Sequence, residues 1–181
     1  MLASAWCLFD TPIGECAIAW SDASIAGVLL PDDDPTYTGP RMQRRFPQAP
    51  PGSPPPWVQA VIDRTRKVLE GESGDSLVDV PLDMGGVPEF NQRVYEIARA
   101  IPPGQTLSYG EVAARIGDPG AARAVGQALG HNPFAPIVPC HRVLAAGKRS
   151  GGFSAGGGVA TKLKMLEIEK AQLGDGPGLF D

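Results

Sequence analysis

Thr106-Leu107-Ser108-Tyr109-Gly110-Glu111-Val112-Ala113-Ala114-Arg115-Ile116-Gly117-Asp118-Pro119-Gly120-Ala121-Ala122-Arg123-Ala124-Val125-Gly126-Gln127-Ala128-Leu129-Gly130 reads as two short helices joined by a tight turn. Ser108 can cap the first helix while Glu111, three residues on, reaches back to complete a capping box. Gly117-Asp118-Pro119-Gly120 supplies the turn. Two helices so joined form a helix-turn-helix candidate, although any helical hairpin has the same outline. The second helix is more telling. Its surface is nearly all Ala and Gly with a single arginine, Arg123, near its start. Small residues let a helix approach a duplex closely, and a lone arginine can occupy the space of a displaced base.

Directly downstream lies Asn132-Pro133-Phe134-Ala135-Pro136-Ile137-Val138-Pro139-Cys140-His141-Arg142-Val143-Leu144. A thiolate rather than a thiol is the nucleophile, and a cysteine of ordinary pKa, roughly 8.5, needs a base or a positive charge nearby to ionise at neutral pH. His141 can be the base and Arg142 the charge. Taken alone the pair is weak, because neighbours on a strand point to opposite faces and a buried cysteine beside a surface histidine is commonplace.

Outward from this centre the second half is helical. Pro88-Glu89 opens a helix in which Phe90, Val94, Ile97, Ala98 and Ile101 recur at helical spacing, ended by Pro102-Pro103-Gly104. The glycine-rich run Gly147 to Gly158 lacks the Gly-Lys-Ser/Thr spacing of a phosphate loop and reads as a turning loop walling a pocket. Val159 to Ala171 is the last helix, with Leu163, Leu166 and Ile168 partly inward, Lys162, Lys164 and Lys170 outward, and Glu167 and Glu169 along it. The last residues from Gly174 read as a frayed tail.

The first half reads differently. Trp6 to Trp20 makes two strands around a Pro/Gly turn, Ser24 to Leu30 a third, and Met42 to Pro47 a short helical turn. Pro47 to Pro56 is a stiff proline-rich surface connection. Val58, Val61, Ile62, Thr65, Val68 and Leu69 then share one face of a helix stopped by Gly71. The expected fold is therefore α/β (α+β), with an N-terminal small antiparallel sheet with helix over residues 1–84. A C-terminal, mostly helical DNA-binding domain follows over 85–173, then a tail at 174–181.

Composition narrows the function classes. The chain has 181 residues, 43% hydrophobic and 20% charged, ordinary for a soluble globular protein. The opening apolar run is broken by Asp10, Pro12 and Glu15, so neither a signal peptide nor a membrane span is expected, and the cytoplasm is the default location. Three cysteines do not suggest a disulfide framework; Cys7 and Cys16 can face each other across the first hairpin, but free thiols in a reducing compartment are the expectation. Two histidines and no Cys-x-x-Cys pair leave no metal site to expect. The net charge of −4 is unevenly spread. Residues 1–88 carry twelve acidic side chains against six basic, and residues 89–170 carry ten basic against six acidic. A basic second half permits an anionic partner such as nucleic acid.

With Ser108-Tyr109, Ala122-Arg123-Ala124-Val125-Gly126, Asn132-Pro133 and Pro139-Cys140-His141-Arg142-Val143 in view, the stretch from Phe90 to Glu169 resembles the O6-alkylguanine-DNA alkyltransferases. These are also called methylated-DNA–protein-cysteine methyltransferases. The resemblance implies a ribonuclease-H-like N-terminal domain, no cofactor, a monomer acting on double-stranded DNA containing O6-alkylguanine, and irreversible transfer of the alkyl group to Cys140, with O4-alkylthymine as a second substrate. It implies that His141 takes the thiol proton through a bound water, and that Glu169, seven residues after Lys162, orients His141. Asn132 would hold the active-site turn, Arg123 would intercalate, and Tyr109 would help rotate the nucleotide and donate toward guanine N3. Ala122, Ala124, Gly126 and Arg142 would lie at the DNA, while Val143, Phe153, Ser154 and Pro136 would line the base pocket. Two departures stand out. Phe153 occupies a position where many members have tyrosine, and the glycine loop before Lys162 is about two residues longer. The rival readings are a non-catalytic alkylated-DNA sensor of the same fold, a plain helix-turn-helix regulator, and a cysteine hydrolase with a Cys-His-Glu triad.

Overall fold

The structure, a computed structural model, describes residues 2–145 and 158–171. Strands β1 (Ala5–Thr11), β2 (Gly14–Trp20) and β3 (Ile25–Leu29) form an antiparallel sheet in that order. Gly14, at φ +120, makes the turn that lets β2 return along β1. Helix α1 (Thr38–Arg45), preceded by a 3-10 turn, and helix α2 (Pro56–Leu69) complete the first half. Every residue of β2 from Cys16 to Trp20 is buried, because both faces of the sheet are covered. Ala17 and Ala19 join Trp6, Met42 and Phe46 on the α1 side. On the other side Cys16, Ile18 and Trp20 join Val58, Val61 and Ile62 of α2. That cluster continues without a break through Val94, Val125, Phe134, Ile137 and Met165, so one core spans both halves of the chain.

The outer strands do not end at open backbone. Along β1, Trp6 N–H donates to Pro50 O (3.2 Å) and Gly52 N–H donates to Trp6 O (2.9 Å). Along β3, Ile25 exchanges bonds with Pro81 and Asp83, and Val28 N–H donates to Pro133 O (3.0 Å). The proline-rich segment expected as a surface connection is thus partly a strap laid beside β1.

The second half consists of α3 (Glu89–Arg99), β4 (Leu107–Ser108), α4 (Tyr109–Ile116), α5 (Ala122–Gly130), a 3-10 turn at Cys140–Arg142, β5 (Val143–Leu144) and α6 (Gly158–Ile168). Helices α4 and α5 are the expected helix-turn-helix. Ser108 Oγ accepts the Glu111 N–H (3.0 Å), Glu111 Oε1 accepts the Ser108 N–H (3.2 Å), and Gly117 closes α4 at φ +93. Removing such a cap costs about 1 kcal/mol. Ser108→Ala is accordingly expected to lower the thermal midpoint by about 2–4 °C in a chain of this size, measured by circular dichroism. Tyr95 Oη donates to Ala128 O (2.6 Å), tying α3 to α5. The short parallel pair β4–β5, with Leu107 opposite Val143 and Ser108 opposite Leu144, fastens the start of α4 to the segment that follows Cys140.

Cys7 and Cys16 are free thiols, as expected; Cys7 lies opposite Ile18 and Cys16 opposite Phe9, so the two are diagonal in the register and not paired across it. Other expectations are corrected. Lys162, expected outward, is 1% exposed. Glu169 lies just past the end of α6, in a turn where Lys170 has φ +57. Among the described residues no helix is long and apolar enough to cross a membrane.

Candidate active site

Cys140, His141 and Arg142 fall in a 3-10 turn, not a strand, and all three are buried. Asn132 shapes the approach. Residue 132 precedes a proline and is held away from helical geometry. Its Oδ1 accepts the Phe134 N–H (2.9 Å) and its Nδ2 donates to Val138 O (2.8 Å). The Cys140 N–H donates to the same Val138 carbonyl (2.8 Å). One carbonyl therefore joins the Asn132 side chain to the cysteine backbone.

The imidazole is fixed from the far side. His141 Nε2 lies 2.8 Å from Glu169 Oε1, and both side chains are almost fully buried. A carboxylate can only accept, so Nε2 carries the proton and Nδ1 bears the lone pair. Nδ1 is buried with no partner among the described residues. Burial, helped by the Arg142 and Lys162 charges, lowers the His141 pKa against the opposing pull of Glu169, which favours the neutral ring with Nδ1 as its basic nitrogen. Arg142 grips the same carboxylate, Nε to Oε2 (3.0 Å) and Nη2 to Oε1 (2.7 Å), and Nη1 donates to Ile101 O (2.8 Å). Arg142 is 3% exposed, so its expected place at the DNA is overturned: its donors are spent on a buried carboxylate and a helix-end carbonyl.

Burial by itself would raise the Glu169 carboxyl, but His141 and Arg142 outweigh it and hold the group down to about 2. A depressed folded-state pKa contributes stability that is present above the ordinary carboxylate range and disappears as pH falls through the folded value. The stability difference between wild type and Glu169→Gln is therefore expected to shrink as pH falls from about 5 to about 2, read from urea midpoints. Comparing the two proteins isolates Glu169 from Asp75 and Asp79, which Arg64 also holds low.

Burial is also the largest influence on Cys140 and raises its pKa. The Asn132 side chain, the Lys162 ammonium and local backbone N–H groups pull it back. Lys162 Nζ donates to Val143 O (3.1 Å) and stands 6.0 Å from the centre of the Tyr109 ring. Burial brings the Lys162 ammonium down to about 8, against the opposing pull of Cys140. Lys162 was not among the expected site residues. A signal for it exists: Lys162, Met165, Leu166 and Glu169 stand at i, i+3, i+4 and i+7, the spacing of one buried helical face.

Other expected residues divide by location. Tyr109 opens α4 half-buried, and burial, then Cys140, raises its phenol. Arg123 is exposed on α5, with Ala122, Ala124 and Gly126 half-buried beside it. Pro136 and Val143 are buried in the segments flanking Cys140. Phe153, Ser154 and most of the glycine loop lie outside the described residues. A cavity of about 460 Å³ runs between β3 and α1 on one side and α3 and the Asn132 turn on the other, and Cys140 is part of its lining. Among the described residues no three His, Cys, Asp or Glu side chains converge as a metal site would require.

Residues 89–171 match the family model of the 6-O-methylguanine DNA methyltransferase DNA-binding domain. The methylated-DNA–protein-cysteine methyltransferase of Mycobacterium tuberculosis is 39% identical over 173 residues, covering 95% of this chain and 96% of that protein. The protein of the same name from Methanothermobacter thermautotrophicus is 34% identical, covering 90% of this chain and 83% of its own length. A crystal structure of M. tuberculosis OGT in complex with DNA superposes with a TM-score of 0.73 at 38% identity, over 92% of each chain.

Proposed function

The chain belongs to the methylated-DNA–protein-cysteine methyltransferase family, and from that premise we propose that Cys140 accepts an alkyl group directly from O6-alkylguanine in double-stranded DNA. The observation that carries this reading is the buried Cys140-His141-Glu169 arrangement, in which Glu169 accepts a hydrogen bond from His141 Nε2–H and so leaves Nδ1 as the base. The chain acts as a monomer, residues 85–173 bind the DNA and perform the transfer, and residues 1–84 support them. Its reactive thiol suits the reducing cytoplasm.

An alkyl group at O6 is inaccessible inside a duplex, so the nucleotide rotates out at an unstacking cost of a few kcal/mol. Arg123, exposed on a helix of small residues, fills the gap, and Tyr109 steers the nucleotide and donates toward guanine N3. His141 Nδ1 takes the Cys140 proton across one water. The sulfur then attacks the alkyl carbon in line with the carbon–O6 bond, a carbon–sulfur bond forms as that bond breaks, and the proton ends on the departing guanine. A thioether has no hydrolysable bond, unlike an acyl-enzyme, so each chain reacts once. O4-alkylthymine presents the same chemistry.

Duplex DNA carrying radiolabelled O6-methylguanine tests this reading. The label is expected to move to the protein and saturate at about one per chain. Continuous release of label into solution sinks it in favour of a hydrolase, and binding without transfer sinks it in favour of a damage sensor. Arg123→Ala is expected to slow repair of duplex by about tenfold, corresponding to about 1.4 kcal/mol, while barely changing attack on a free-base substrate. Equal loss on both substrates removes Arg123 from the flipping step.

A further inference from the structure

Arg45 stands on the last turn of α1, in the half of the molecule that carries none of the reacting groups. Its Nη2 donates to Pro133 O (3.1 Å), 88 residues away, and its Nη1 lies 3.5 Å from Val28 O. Pro133 O also accepts the Val28 N–H (3.0 Å), so two donors from the N-terminal half converge on one carbonyl of the active-site turn. The guanidinium lies flat over Gly27 in β3. A Cβ at residue 27 would stand 2.6 Å from Nη2 and 2.7 Å from Cζ, so glycine is what admits it. Neither Asp nor Glu lines the cavity in which Arg45 sits, and no carboxylate pairs with it among the described residues. Arg45 is a half-buried cation held by two carbonyls and the face of the Phe46 ring, 5.0 Å from its centre. With no carboxylate among the described residues to balance it, this is a costly way to join a helix to a sheet, where an apolar side chain would serve. What the guanidinium supplies, and an apolar chain cannot, is a directed donor to Pro133.

We propose that Arg45 is a positioning residue for the transfer: with the Val28 amide it clamps the Pro133 carbonyl and so fixes the turn through which Asn132 supports Cys140. The path is continuous. Pro133 anchors Asn132, Asn132 Nδ2 bonds Val138 O, and Val138 O accepts the Cys140 N–H. The proposal rests on Cys140 being the acceptor. Asn132 is also the strongest of the influences that favour the Cys140 thiolate, so a loosened Asn132 has a readout that a purely structural contact lacks. The other ionisable groups near the sulfur are Lys162 from α6, Tyr95 from α3, Tyr109 from α4 and the adjacent His141. Arg45 is hydrogen-bonded to none of them among the described residues.

The test uses the full chain as Arg45→Met, which keeps length and loses the donors, Arg45→Lys, which keeps one, and Gly27→Ala, which leaves Arg45 intact but displaces it. Single-turnover transfer rates at saturating methylated duplex are measured from about pH 6 to 10, beside duplex Kd and thermal midpoint. Arg45→Met and Gly27→Ala are each expected to slow transfer by about tenfold and to shift the rising limb of the pH profile upward, with Kd within about twofold of wild type. Arg45→Lys is expected to recover part of the rate. Should Arg45→Met fail to fold, Gly27→Ala decides. Variants that lose only thermal stability, or only DNA affinity, while keeping the wild-type rate and profile overturn the proposal. Absence of transfer in the wild type overturns instead the reading on which it rests.

Discussion

Cys140→Ser is expected to reduce alkyl transfer to background, a loss on the order of a thousandfold or more, while duplex binding persists. Oxygen replaces sulfur at the same position, but a serine hydroxyl ionises far less readily than a thiol, and His141 is a neutral, buried base that cannot compensate. The site is enclosed, so the substitution also buries a hydroxyl where a weakly polar thiol sat, at a cost of about 1–3 kcal/mol. Labelled-methyl transfer and duplex binding measured on the same preparation separate the chemical loss from this structural one. Transfer at an appreciable fraction of the wild-type rate would remove Cys140 from the acceptor role and direct the search to another nucleophile.

The second large effect concerns stability. Arg142→Met is expected to destabilise the chain by about 3–5 kcal/mol, because it leaves the Glu169 carboxylate buried with one of its two partners gone. In a chain of this size that corresponds to a fall in thermal midpoint of roughly 6–20 °C. It also strips Ile101 O of its donor at the end of α3. The double variant Arg142→Met with Glu169→Gln is expected to recover part of the loss, since the uncompensated charge is then absent. A midpoint within about 2 °C of wild type for Arg142→Met would mean that the pair is not the buried, dry contact that 2.7 and 3.0 Å separations describe.

What the sequence disclosed depended on how far apart the interacting residues lie. Ser108 and Glu111 are three residues apart, and the hairpin strands are joined by a two-residue turn, so local chemistry specifies them and they were legible. The paired helices followed from periodicity and the Gly117 turn. The link from His141 to Glu169 spans 28 residues. Only the family spacing suggested it, since a glutamate near the end of a helix ordinarily faces water. An arginine beside a reactive cysteine carries no mark of which anion it meets, so the sequence alone does not separate DNA from Glu169 as the partner of Arg142; the fold decides for Glu169. Residue type alone points Lys162 outward, because lysine usually faces water, whereas its spacing to Met165, Leu166 and Glu169 marks the buried face. Arg45 and Pro133, 88 residues apart, meet only through the docking of α1 and β3 against the Asn132 turn, and no local pattern announces that contact.

If, as proposed, each chain reacts once, protection of a genome extends only to the copy number, and the protein must remain dispersed at whatever concentration the damage demands. Exposed strand edges are where sheets of neighbouring molecules join and aggregate. Here the β1 edge is met by the Pro50–Gly52 strap and the β3 edge by Pro81–Asp83 and the Pro133 carbonyl. Proline has no N–H to offer an incoming strand, so the covering segments themselves make poor templates. The same backbone contacts that seat the active-site turn against the sheet thus also bear on colloidal behaviour: they leave this small sheet little edge on which another copy could add.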